Sequence, residues 1–141
     1  MKGFTIIELL LTIAMVVILV GITIPFYSQF SKNNLQIDSG AVIDSIRTAE
    51  MSAITQKNNS GWGIHFQSGK IIIFKGNSFE MREISFDEEI NISDNYVFSG
   101  LNDVFFSPFN GIPDKIGVII MENQNGIKKE FEIDKRGAII Y

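Results

Sequence analysis

Cysteine is absent from the 141 residues. That excludes disulfide staples, thiolate metal sites and a cysteine nucleophile, and says nothing of compartment. Histidine occurs once, at His65. No glycine-rich phosphate loop, nucleophile elbow or zinc-binding helix motif is present. Charge is missing from one long stretch: no charged residue stands between Glu8 and Lys32. Elsewhere the 12 basic and 16 acidic residues are interspersed without a long block of one sign. The net charge of −4 argues against a general phosphate-binding surface and leaves a local one open.

The uncharged stretch is rich in Leu, Ile, Val, Ala and Met. Thr12 and Thr23 are its only polar side chains before Pro25. Its length predicts a helix able to cross the ~30 Å hydrocarbon core of a bilayer. Glu8 stands at its edge, where a lone carboxylate is expensive. Two readings of Glu8 stay open: an anchor residue that reaches the headgroups or is protonated, or one with a designated cationic partner inside an apolar assembly. Gly21 and Pro25 weaken the helix and predict a bend.

From Ser31 to about Gln56 the pattern becomes amphipathic, with Leu35, Val42, Ile46, Ala49 and Ala53 on one helical face. Residues 57–61, Lys-Asn-Asn-Ser-Gly, predict its end. Beyond Gly61 short strands alternate with turn residues. Segments 62–66 and 70–74 flank Gln67-Ser68-Gly69 as a hairpin. Further strands are expected at 79–86, 90–98 and 103–107. Pro108, Gly111 and Pro113 mark a loop. Segments 116–122 and 127–134 pair across a turn ending in Asn125-Gly126, and 138–141 is a last strand. The expected fold class is α+β: a long N-terminal helix, transmembrane in its first half and amphipathic in its second, packed on antiparallel β-sheet.

Lys2-Gly3-Phe4-Thr5-Ile6-Ile7-Glu8, followed by the uncharged run and Pro25, resembles the leader junction of type IV pilins and type II secretion pseudopilins. The resemblance implies a pilin-like fold, a leader at 1–3 cut after Gly3, N-methylation of Phe4, a transmembrane or filament-core helix at 4–30, an amphipathic helix at 31–57 and a β-rich domain at 58–141. It implies assembly through Glu8, Gly21 and Pro25. Glu8 would meet the new amine of Phe4 on a neighbouring subunit, and the Gly21–Pro25 stretch would unwind on assembly. The later order is similar to the GspH/FimT group of minor pseudopilins and minor pilins: Ala49 and Ala53, then Trp62-Gly63-Ile64, Val104 to Pro108 with Gly111, and Asp134-Lys135-Arg136-Gly137.

The implied function is a non-enzymatic structural subunit, a minor pseudopilin or minor pilin, with a major pilin or a DNA-binding minor pilin as alternatives. The implied partners are other pilin or pseudopilin subunits, a prepilin peptidase, an inner-membrane assembly platform and membrane lipid before assembly. The implied location is the cytoplasmic membrane, single-pass with the C-terminal domain outside, and then a pilus or pseudopilus. A plain anchored domain is a further alternative.

Some FimT-type proteins bind DNA through basic residues near the C-terminus, and Lys128, Lys129, Lys135 and Arg136 are the candidates here. Interleaved Glu130, Glu132 and Asp134 favour ordinary strand and turn charges instead, so nucleic acid is not an expected partner. His65 alternates with Trp62, Ile64 and Phe66 and reads as a surface strand residue. Asp87-Glu88-Glu89 and Asp94-Asn95 lack the spacing of a calcium loop and read as solvated turns. No cofactor and no metal are expected. Phe74, Phe79, Phe86, Phe98, Phe105, Phe106 and Phe131 read as core.

Overall fold

The computed structural model describes residues 5–141, with side chains described at 5–21 and 35–141. Gly3 and Phe4, and the side chain of Pro25, lie outside these, as do the cleavage, methylation and bend expected there. The chain divides into two units, Met1–Gln36 and Ile37–Tyr141.

Helix α1 (Ile6–Ile54) runs through both. Its opening turn follows from Thr5, whose Oγ1 accepts the Glu8 N–H at 3.4 Å, while the Glu8 carboxylate accepts the Thr5 N–H at 3.5 Å. This reciprocal Thr-x-x-Glu arrangement satisfies N–H groups that the first turn leaves without intrahelical partners. In the second unit Val42, Ile46, Ala49 and Ala53 are fully buried, at spacings that return to one face. The helix ends where Gln56 turns left-handed at φ 51°, a conformation usually given to glycine. A 3-10 turn at Lys57–Asn59 follows.

The strands form two four-stranded antiparallel sheets. The first holds β1 (Trp62–Gln67), β2 (Lys70–Lys75), β3 (Glu88–Asn91) and β5 (Asp103–Phe106) in the order β3-β2-β1-β5. The second holds β4 (Tyr96–Gly100), β6 (Gly117–Asn123), β7 (Lys128–Ile133) and β8 (Ile139–Ile140) in the order β4-β6-β7-β8.

Register assigns side chains to faces, because directly opposed residues share one. Ile64 opposes Ile73 and Val104, Phe66 opposes Ile71, and Trp62 opposes Phe106. All of these are buried, so this face belongs to the core. Phe66 meets Phe98 of β4 at 5.3 Å between ring centroids, joining the sheets. Trp62, 1 % exposed, donates its indole N–H to the Lys57 carbonyl at 2.8 Å and lies under the Lys57 ammonium. The other face of the first sheet carries Gly63 opposite Phe74, and His65 between Ile72 and Asp103. Gly63 is required there, because a Cβ would land in the Phe74 ring.

Several expectations are corrected. The strands form two sheets accompanied by two short 3-10 helices, not one sheet in a pilin-like arrangement on a helix that is transmembrane in its first half. Among the described residues no helix is long and apolar enough to cross a membrane, which removes the basis for the expected single-pass location. The strand expected at 79–86 is a turn ending in a 3-10 helix, Ile84–Phe86. Here Phe79 leaves the strand pattern to cover the outer face of the first sheet. The strand expected at 90–98 is two strands in different sheets, separated where Ile92 N–H bonds back to the Gly69 carbonyl.

Candidate functional site

Two places carry unusual chemistry, one in each unit. The first is the start of α1. The large apolar residues from Ile6 to Leu19 are 53–80 % exposed. Leu9, Leu10 and Leu11 are all exposed, and so are Val16 to Leu19. At 3.6 residues per turn, four consecutive exposed positions cover every side of the helix. The segment is therefore apolar all round rather than striped, with Glu8 at its beginning as its one charge. Glu8 is engaged in the capping arrangement with Thr5. Gly21 has open space where a Cβ would stand, and the structure assigns it no close approach.

The second place is a cleft of about 200 Å³ on the outer face of the first sheet, lined by His65, Phe79, Glu80, Asp103, Asp114 and Lys115 among others. Lys115 Nζ pairs with Asp103 at 2.7 Å, and that hydrogen bond raises the ammonium pKa above its ordinary value. Asp114 accepts the Phe105 N–H at 2.8 Å, which ties the loop before β6 to the edge of β5. His65 stacks on Phe79 with ring centroids 3.7 Å apart and planes 11° apart. Its Nδ1 is buried without a hydrogen-bond partner. Burial, foremost, lowers its pKa from the ordinary imidazole value; Asp103 works the other way and Arg82 adds to the lowering. His65 is thus built into a covered stack, unlike the surface strand residue that alternation suggested.

The four basic candidates do not form one patch. Lys128 pairs with Glu122 at 3.2 Å and Lys129 lies over the Tyr141 ring, both at the start of β7. Lys135 and Arg136 stand in the turn beyond the far end of β7. Arg136 is within 3.6 Å of Asp134, whose carboxyl pKa is lowered by the Arg136 and Ala138 N–H groups. Three of the acidic candidates are ion-paired: Asp87 with Arg82, Glu88 with Lys57 and Glu89 with Lys70. Among the described residues no three His, Asp or Glu side chains approach closely enough to hold a metal ion.

No family model, no curated protein and no solved structure matches the chain. The type IV pilin and pseudopilin resemblance is corrected accordingly. No relative or fold carries that assignment, nor the methylation, secretion-system and pilus roles that came with it.

Two features escaped sequence reasoning. Thr5, three residues before Glu8, is a readable capping signal. The packing of Phe79 between His65 and Arg82 had no local signal.

Proposed function

We propose that this is a non-enzymatic assembly protein that associates with further copies of itself through the Ile6–Leu19 segment. One observation carries the reading: that segment is exposed all round and has no polar side to turn to water. A helix apolar all round is a buried helix in its working state, and a contiguous exposed apolar surface of this extent marks an interaction site. Like segments from other copies supply matching apolar cover. The segment's one charge, Glu8, lies at the helix N-terminus, within 3.5 Å of the Thr5 N–H. Assembly therefore need not bury a charge in the middle of the segment.

Sedimentation velocity of the full chain in detergent-free buffer tests this. The native chain should sediment as an oligomer, and the triple variant Leu10→Glu, Ile13→Glu, Val17→Glu as a monomer. A native chain that is monomeric without detergent, or that finds cover only when lipid vesicles are added, defeats the reading.

A further inference from the structure

The outer face of the first sheet is covered by residues 76–82; the Gly76 N–H ties the start of this cover to the Gly61 carbonyl at 3.2 Å, and the Phe79 ring holds its middle. His65 lies flat on one face of the Phe79 ring at 3.7 Å. The Arg82 guanidinium carbon lies 3.9 Å from the same ring centre. Two groups at those distances cannot share a face, so Phe79 is held between them. Arg82 is fixed in turn: its Nε donates to Asp87 and its Nη1 to the Phe79 carbonyl, both at 2.8 Å. Phe79 also meets Phe74 edge-on at 5.6 Å. Met81, at the tip of the cover, is 78 % exposed and adds little packing of its own.

We propose that the His65–Phe79–Arg82 stack is an acid-released clasp, in which protonation of His65 frees residues 77–82 from the first sheet and uncovers Phe74. The geometry makes imidazolium a poor fit. A second proton requires an N–H on the buried Nδ1, which has no acceptor, and burying an unpaired donor is costly. It also places positive charge on both faces of one ring. The charged groups facing His65 are Asp103 from β5, Arg82 and Glu80 from the cover, and Asp114 and Lys115 from the loop before β6. From β2 it meets Ile72, which carries no charge. Asp103 favours the imidazolium, but its carboxylate is already paired with Lys115 at 2.7 Å.

His65 is the only histidine, so its imidazole nitrogens give an unambiguous NMR titration in the full chain. Its midpoint should lie below 6.5. As pH falls from about 6.5 to that midpoint, exchange of the Arg82 Nε–H with water, relative to the Arg47 Nε–H in the same sample, should accelerate about tenfold per pH unit and level off below it, as for release coupled to one proton. In His65→Phe, or His65→Gln should the first variant not fold, the Arg82 signal should stay protected through the same range. A midpoint above 6.5, protection of Arg82 that does not change with pH, or the same loss of protection in the uncharged variants overturns the clasp. The last outcome would assign the release to Asp87 instead.

Discussion

Glu50 shows how a single side chain can oppose the fold that holds it. It lies half-buried on α1 beneath the backbones of Gly111 and Gly137, either of which would press a Cβ against it. Burial raises its pKa; Arg47 pulls the value back and Asp134 pushes it up further. A folded pKa above the unfolded value means that the folded chain binds more protons around that range. Stability through this group is therefore greatest below the unfolded value of 4.5 and declines as pH rises through the folded one. Glu50→Gln should raise the melting temperature at neutral pH and change it little near pH 3.5. An equal gain at both values would place its effect in packing rather than charge. Gly63→Ala tests the neighbouring sheet. The new methyl enters the Phe74 ring, and such overpacking costs roughly 1–3 kcal/mol, readable as a lower urea midpoint at unchanged m-value.

Among the elements, the β6–β7 hairpin depends on one side chain. Asn123 is 8 % exposed, and its Oδ1 accepts the N–H groups of Asn125 and Ile127 at 3.0 and 2.9 Å. Gly126 completes the turn at φ 75°. Asn123→Ala strands two donors in a part-buried turn and should cost about 1–3 kcal/mol in chemical denaturation. This hairpin was legible because Asn125-Gly126 stands between alternating apolar residues. The 62–75 hairpin was legible for the same reason, with Trp62, Ile64 and Phe66 in alternation and Gly69 at the turn. Residues 90–98 were misread as one strand because alternation cannot register a chain passing from one sheet to another. Residues 79–86 were misread because aromatic content suits both a strand and a cover, and only the exposed face of a folded sheet decides between them. His65 was visible as a lone histidine, but its surroundings arise from tertiary packing, which has no local period.

Across the whole molecule, apolar character is distributed in opposite ways. In the unit Ile37–Tyr141 it is turned inward, onto Val42, Ile46, Ile64, Phe106 and Phe131. In the segment Ile6–Leu19 it is turned outward. Expecting a pilin meant reading the second pattern as a membrane span and the first as its passenger; the two sheets and the lack of any matching family leave only the contrast itself. Residues 37–141 alone should fold cooperatively and elute as a monomer in size exclusion with light scattering, whereas the full chain should elute larger. An insoluble or oligomeric 37–141 would show that the apolar segment is part of the folding unit. The single tryptophan makes such comparisons convenient. Trp62 is sealed from solvent with an ammonium above its ring, so its ultraviolet emission should be blue-shifted and should report loss of the first sheet. Because no other indole contributes, one fluorescence trace can follow unfolding of that unit without any label.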